Sequence, residues 1–399
     1  MQKKQKILMI PSWYTNKAGE GGGSFFTNQA LLYQERYDVR VLYGYSPYME
    51  HKSLYGRYKR YMTRERYGSK VSSIQDPLPT IRFDFGHWWM REHDLINAAI
   101  KGYRRELRNL IDEGWRPDLL HAQCAELAGI ITARLSEEFG IPWVLTEHQV
   151  FAIANYSEYR QRLMKNALKY PKTIAVVSQH QMRCMAIHNI DRPMVVVGNL
   201  VDENVFQLAQ PRKNPKPFRI LTVMWPSKIK DPQTFFQALA VMVQKGHTDI
   251  EAIVIGKKLN SEADTSEFQR LAEKYQVREY CQLIPHVTPA EMPRFYADAD
   301  VYVSTSIAET FGLAVREAMA VGRPVVCTAS GGVDDDIFDF NGFKVDIHDY
   351  EAVADALIKI KTCAAKFDPI RMRDYVVSKY GHDAFLQKMS IIFNESIGL

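Results

Sequence analysis

The chain has 399 residues, too many for one ordinary core and suited to two domains of roughly 150–200 residues each. Hydrophobic residues make up 46% and charged residues 24%, as in a soluble globular protein and not in a disordered or fibrous one. Fifty-one basic against 46 acidic side chains leave a net charge of +5, too mild for the basic stripe of a nucleic-acid binder.

In chain order, a basic N-terminus precedes the apolar run 7–10, which is too short for a signal peptide but suits a buried strand. Turn residues follow, including Gly19 and Gly21 to Ser24, then a helical pattern over 27–32 and a strand over 39–43. Residues 117–121, 141–146, 173–178 and 194–198 read as further strands, with a helix over 128–139. Apolar strands alternating with helices imply a parallel, doubly wound sheet. Residues 207–217 are rich in proline and charge and read as a linker. The alternation then restarts with strands near 219–223, 251–255, 281–284, 299–303 and 324–327, and helices near 233–243 and 267–275. The fold class is therefore α/β, two Rossmann-like domains with parallel sheets facing across a cleft. Ligands of such sheets bind beyond the carboxyl ends of the strands.

Five cysteines, at 124, 184, 281, 327 and 363, lie far apart and form no C-x-x-C pair. This argues against a disulfide framework or a zinc site and for a reducing compartment. No stretch approaches 18 uncharged apolar residues, so the reading is cytoplasmic.

The chemistry concentrates after the strand near 299–303. Glu309-Thr-Phe311-Gly312-Leu313-Ala314-Val-Arg-Glu317 reads as a loop entering a helix, followed by a tight turn and the strand at Pro324. Gly312 lets backbone approach a ligand, and the helix start offers free N–H groups and a positive dipole end to a diphosphate. Glu309 and Glu317 place two carboxylates near that helix mouth, where they suit sugar and ribose hydroxyls.

This segment resembles the E-x7-E signature of retaining glycosyltransferases of the two-Rossmann GT-B fold, family 4 (group 1). The resemblance continues through Glu-Ala-Met-Ala, Gly322-Arg-Pro324-Val-Val and Gly331-Gly332. It extends over nearly the whole chain apart from about 45–95. The family's Gly-Arg-Leu-x-x-x-Lys-Gly stretch corresponds to 223–231, where Lys230 keeps the lysine and Trp225 stands at the usual arginine. A tryptophan cannot neutralise phosphate, so either Lys228 supplies the second charge or the phosphate grip is weaker. Gly23 belongs to a stretch resembling the family's glycine-rich first loop. Thr146-Glu147-His148 resembles the family's Thr-x-His, whose histidine faces the donor sugar.

The resemblance implies transfer of a sugar from a nucleoside-diphosphate sugar, with retention, to a saccharide or lipid-linked saccharide acceptor. Glu309, His148 and Lys230 are the implied catalytic residues. Gly23, Lys228, Lys230, Phe311, Gly312, Leu313, Ala314 and Glu317 are the implied donor-binding residues. No cofactor is expected, the nucleotide sugar being a substrate. Asp334-Asp-Asp336 could suit Mn²⁺ or Mg²⁺, but an acidic cluster at a helix N-terminus is the preferred reading, and no metal is expected. The implied organisation is an acceptor domain over 1–204, a linker over 205–217, a donor domain over 218–375 and a returning helix over 376–399. Basic residues among tyrosines over 43–70, with Trp88-Trp89 after them, suggest contact with the inner face of an anionic membrane. The alternatives are a two-Rossmann epimerase or phosphorylase acting on sugar phosphates, and a non-catalytic sugar-nucleotide or saccharide-binding protein.

Overall fold

The computed structural model describes residues 4–14, 24–49, 53–63, 77–210, 212, 217–256, 266–285 and 287–399. The chain forms two compact units, one comprising 1–177, 182–197 and 386–399, the other 178–181 and 198–385.

The first unit is built on β1 (Lys6–Pro11), α1 (Ser24–Tyr33), β2 (Asp38–Tyr45), α2 (Leu54–Thr63), β3 (Thr80–Asp84) and α3 (Glu92–Asp112). It continues with β4 (Leu119–Gln123), α4 (Ile130–Phe139), β5 (Trp143–Glu147), α5 (Glu158–Ala167), β6 (Ile174–Val176), α6 (Gln179–Ile187) and β7 (Met194–Val196). The strands lie in the order β3-β2-β1-β4-β5-β6-β7, every pair parallel. All residues of β4 and β5 are buried, as expected of central strands with both faces covered. The topological switch, where the order reverses, falls between β1 and β4.

The second unit has β8 (Phe218–Val223), α7 (Pro232–Gln244), β9 (Ile250–Ile255), α8 (Ser266–Lys274), β10 (Cys281–Ile284), α9 (Met292–Asp298) and β11 (Val301–Ser304). It adds α10 (Leu313–Ala320), β12 (Val325–Thr328), β13 (Gly342–Val345), α11 (Tyr350–Thr362) and α12 (Pro369–Tyr380), and α13 (His382–Ile397) carries the chain back to the first unit. Its all-parallel sheet runs β10-β9-β8-β11-β12-β13, with the switch between β8 and β11. Ligand sites of open α/β sheets form at such a reversal.

Three differences from the sequence reading have physical causes. The region 45–118 holds α2, β3 and α3; β3 is an edge strand burying only Phe83, so its apolar pattern is faint. The helix read over 128–139 begins with a wider turn at Ala125–Gly129, entered from Cys124 at φ +74°. The returning C-terminal helix is two helices, parted at Gly381, which adopts an extended conformation (φ −67°, ψ 175°). Phe393 of α13 packs edge-on against Tyr33, Tyr37 and His121, with ring centroids 5.1–5.5 Å apart.

Candidate functional site

In the second unit, two loops that follow the switch-point strands meet. Ile307 N donates to Ile229 O (2.7 Å), and Thr305 Oγ1 donates to Asp231 O (2.9 Å), so the post-β11 loop is laced to the post-β8 loop. This brings Lys230 Nζ to 2.5 Å from Glu309 Oε1, both side chains being largely shielded from solvent. Ser306 Oγ donates to the same carboxylate oxygen (2.7 Å). The Lys230 ammonium also lies 4.6 Å from the centre of the Trp225 ring. The indole thus holds a cation where the sequence led us to expect one of its own, because the ring face attracts positive charge. Lys228 is exposed and lines a cavity of about 930 Å³ with Asp231, Thr234, Ile307 and His348. The structure brings Lys230 to Glu309 and leaves Lys228 outside that contact.

Glu309 is seated by backbone pairing. Its N–H donates to Ser330 O (2.9 Å), and it forms an isolated parallel bridge with Gly331. Gly332 passes so close beneath this loop that a Cβ there would meet backbone atoms of Thr310, Glu309 and Phe311 at 2.4–2.6 Å. Gly312, at φ +69°, caps α10 without a side-chain hydrogen bond, and a Cβ on it would strike Val333 at 2.2 Å. The first turn of α10, carrying Leu313 and Ala314, therefore begins with backbone N–H groups that no capping side chain occupies. Further along the helix, Glu317 accepts a hydrogen bond from the Tyr296 hydroxyl (2.8 Å). Burial pushes the Glu317 carboxyl up to about 7, with that hydroxyl partly opposing the shift.

Arg316, between these positions, is a residue that the sequence reading did not single out. Its side chain is 2% exposed. The guanidinium donates to Phe311 O and Gly332 O, pairs with Asp336, and stacks 3.9 Å from the Phe311 ring centre. A lone arginine in the apolar run of α10 was the available signal, but its acidic partner lies twenty positions away. The acidic cluster is likewise not at the N-terminus of a long helix: Asp334–Asp336 form a single 3-10 turn. Asp336 is buried and also accepts from the hydroxyls of Tyr375 (2.6 Å) and Tyr380 (2.8 Å) and from Lys379 Nζ (3.1 Å). Burial disfavours its charge, but these donors and Arg316 outweigh that and lower its pKa to about 2.

His148 belongs to the first unit, directly after β5. It is 8% exposed, with Nε2 2.6 Å from Gln123 Oε1 and the Phe25 and Phe26 rings edge-on at 5.1 and 5.2 Å. Glu147, one residue before, turns its carboxylate inward to accept the N–H groups of Ala125 (2.7 Å), His148 (3.0 Å) and Gln149 (2.9 Å). These bonds fix the backbone at the carboxyl end of β5 and hence the seat of the imidazole. Gly23 lies outside the described residues.

Residues 204–373 match the family model of glycosyl transferases group 1, and residues 71–205 match that of glycosyltransferase family 4. A D-inositol 3-phosphate glycosyltransferase of Paenarthrobacter aurescens is 28% identical over 265 residues, covering 61% of this chain and 64% of that protein. One from Corynebacterium glutamicum is 25% identical, covering 60% and 63%. The chain thus spans just under two thirds of the length of these relatives. Among solved structures, sucrose-phosphate synthase from Thermosynechococcus elongatus superposes with a TM-score of 0.74 at 18% identity, over 98% of this chain and 99% of that one. The Anabaena protein HepE in complex with UDP and glucose gives 0.71 at 17%, over 98% and 100%. At such identities the likeness speaks for the fold.

Proposed function

The chain belongs to the family 4, group 1 glycosyltransferases, and from that premise we propose that it transfers a sugar from a nucleoside-diphosphate sugar to a saccharide or lipid-linked saccharide acceptor, in glycan biosynthesis. The observation that carries this is the Lys230–Glu309 pair, set where the strand order of the second sheet reverses and beside the open start of α10. A cation, a carboxylate and unoccupied amides are the three groups needed to grip a diphosphate and a sugar together.

In this reading the donor's phosphates take up the Lys230 ammonium and the amides of Gly312–Ala314, which stabilise charge growing on the leaving diphosphate. Released from part of its bond to Lys230, Glu309 accepts donor-sugar hydroxyls, with Phe311 and Leu313 shaping the loop around them. Glu317, in its ionised form, accepts ribose hydroxyls. His148 orients or stabilises the reacting sugar. Transfer retains anomeric configuration, without a protein nucleophile and without a metal, so that the enzyme's contribution is positioning and electrostatics. Replacing Glu309 by Gln and, separately, Lys230 by Met tests the assignment: each is expected to lower release of sugar from the donor by about 100-fold or more. Unchanged release in both variants would refute it.

The acceptor side of the proposal places the protein in the cytoplasm, at the inner face of a membrane. No disulfide joins any of the five cysteines, which suits that compartment. No helix among the described residues is long and apolar enough to cross a membrane. On α2, Leu54, Tyr55, Tyr58 and Met62 are exposed, Arg57 and Lys59 lie among them, and Trp89 is exposed nearby. An apolar stripe with basic flanks suits shallow insertion between anionic headgroups. Arg64, Arg66 and Lys70 lie outside the described residues. Co-sedimentation with phosphatidylglycerol vesicles, lost in Tyr55→Ser/Met62→Ser and absent with phosphatidylcholine, is the expected result.

A further inference from the structure

Arg316 is buried, charged and placed in the middle of the helix that carries Glu317. Burying a guanidinium is costly unless its charge is paired and its donors are used. What those donors reach is informative. One goes to Phe311 O, in the loop between Glu309 and α10, and one to Gly332 O (3.1 Å), in the segment passing beneath that loop. The two carbonyls belong to segments that pass so close together that a Cβ on Gly332 would meet the backbone of Glu309, Thr310 and Phe311. An apolar side chain at 316 would leave both acceptors without this donor, the costly kind of loss.

The guanidinium is fixed in turn. Asp336 receives it, and the same carboxylate is held by Tyr375, Lys379 and Tyr380 from α12. The Phe311 and Tyr380 rings cover the guanidinium at 3.9 and 5.0 Å and meet edge-on at 5.1 Å. The Tyr380 ring itself rests against Gly198, where a Cβ would come within 2.4 Å of it. The result is a rigid bracket: α12 holds Asp336, Asp336 holds Arg316, and Arg316 holds the two loop segments that seat Glu309.

We propose that Arg316, anchored by Asp336, is a positioning residue of the donor site, locking the 309–312 loop to the 331–332 segment so that Glu309 and the first amides of α10 address one ligand. The inference rests on the transferase reading above, because it assumes that this loop is the donor loop. The pair secures a unique loop geometry more than it secures the fold. A buried ion pair exchanged for apolar residues often leaves stability intact, while planar two-acceptor bonding is something only arginine provides.

The full chain is titrated by calorimetry with UDP, GDP and ADP as probes, and sugar release from the matching nucleotide hexoses is followed in parallel. In Arg316→Met/Asp336→Leu, the thermal transition is expected to stay cooperative, while affinity for the preferred diphosphate falls at least tenfold and sugar release about 100-fold, as for a misplaced catalytic loop. Arg316→Lys keeps the charge opposite Asp336 but lacks the fork that reaches both carbonyls. It should unfold near the wild-type temperature and still bind the diphosphate several-fold more weakly. Wild-type diphosphate affinity in the double variant, or in Arg316→Lys, would overturn the proposal. A wild-type protein that binds a diphosphate but releases no sugar would sink the transferase reading while leaving the affinity comparison to decide the role of Arg316. Were no diphosphate bound by the wild type, both would fall.

Discussion

Glu317 is a carboxyl group whose surroundings decide its charge near neutral pH. Burial raises its pKa from 4.5 to about 7. Because the folded-state value is raised, the stability linked to its proton is fully present below about pH 4.5 and is lost as pH rises through 7. Glu317→Gln should therefore flatten the fall in stability between pH 4.5 and 7, measured by denaturant midpoints. Ligand binding runs the other way: ribose hydroxyls favour the ionised carboxylate, so nucleotide affinity should climb as pH passes through 7 in the wild type and stay level in Glu317→Gln. An affinity independent of pH in both proteins would count against the ribose role. Trp225 makes a second side-chain prediction. Its ring holds Lys230 by about 1 kcal/mol, so Trp225→Ala should weaken diphosphate binding roughly three- to tenfold. Lys228→Ala, at an exposed position outside the Lys230–Glu309 contact, should change it far less, and the reverse ranking would move the phosphate site toward Lys228.

Among elements, the unit that matters is the loop from Glu309 to Gly312 together with the segment from Ser330 to Gly332. Their crossing depends on missing side chains. Gly332→Ala would push a methyl group into the backbone of Thr310 at 2.4 Å, and backbone cannot yield as a flexible side-chain tip can. A loss of about 1–3 kcal/mol is expected for such overpacking, with nucleotide binding lost as well. Gly246 is the control: unlike Gly332 it has a positive φ (+85°), and nothing lies within 4 Å of its added Cβ, so Gly246→Ala strains the backbone without a clash and should leave binding intact. Equal losses of binding in the two variants would mean that the site does not depend on the close crossing at Gly332. The motif Glu309–Glu317 was legible because it is local: a strand, a glycine turn and a helix follow one another between Val301 and Ala320. Arg316 was not, because what makes it significant is Asp336, brought to it by the turn after β12 and by α12. The apolar period marks Arg316 only as an irregularity.

For the whole molecule, alternating apolar strands and helices gave the two parallel α/β units, since central strands buried on both faces write long apolar runs into the sequence. The edge was quieter: β3 buries one side chain, and α2 keeps several apolar residues exposed, so the stretch around 54–84 carried little periodicity to read. The break at Gly381 also escaped notice, because a single glycine in a helical pattern does not announce a new helix. The second unit was more legible than the first. Phosphate and sugar hydroxyls demand fixed residue types at fixed spacing, whereas an acceptor surface can be built from many. Sugar transfer from a nucleotide donor is tested most directly by real-time proton NMR of the full chain, and of its Glu309→Gln variant, with UDP-, GDP- and ADP-hexoses. One donor should lose its sugar, the first anomeric signal should have the donor's configuration, and Glu309→Gln should suppress it. Inverted configuration, free epimerised sugar, or undiminished turnover in Glu309→Gln would contradict the account.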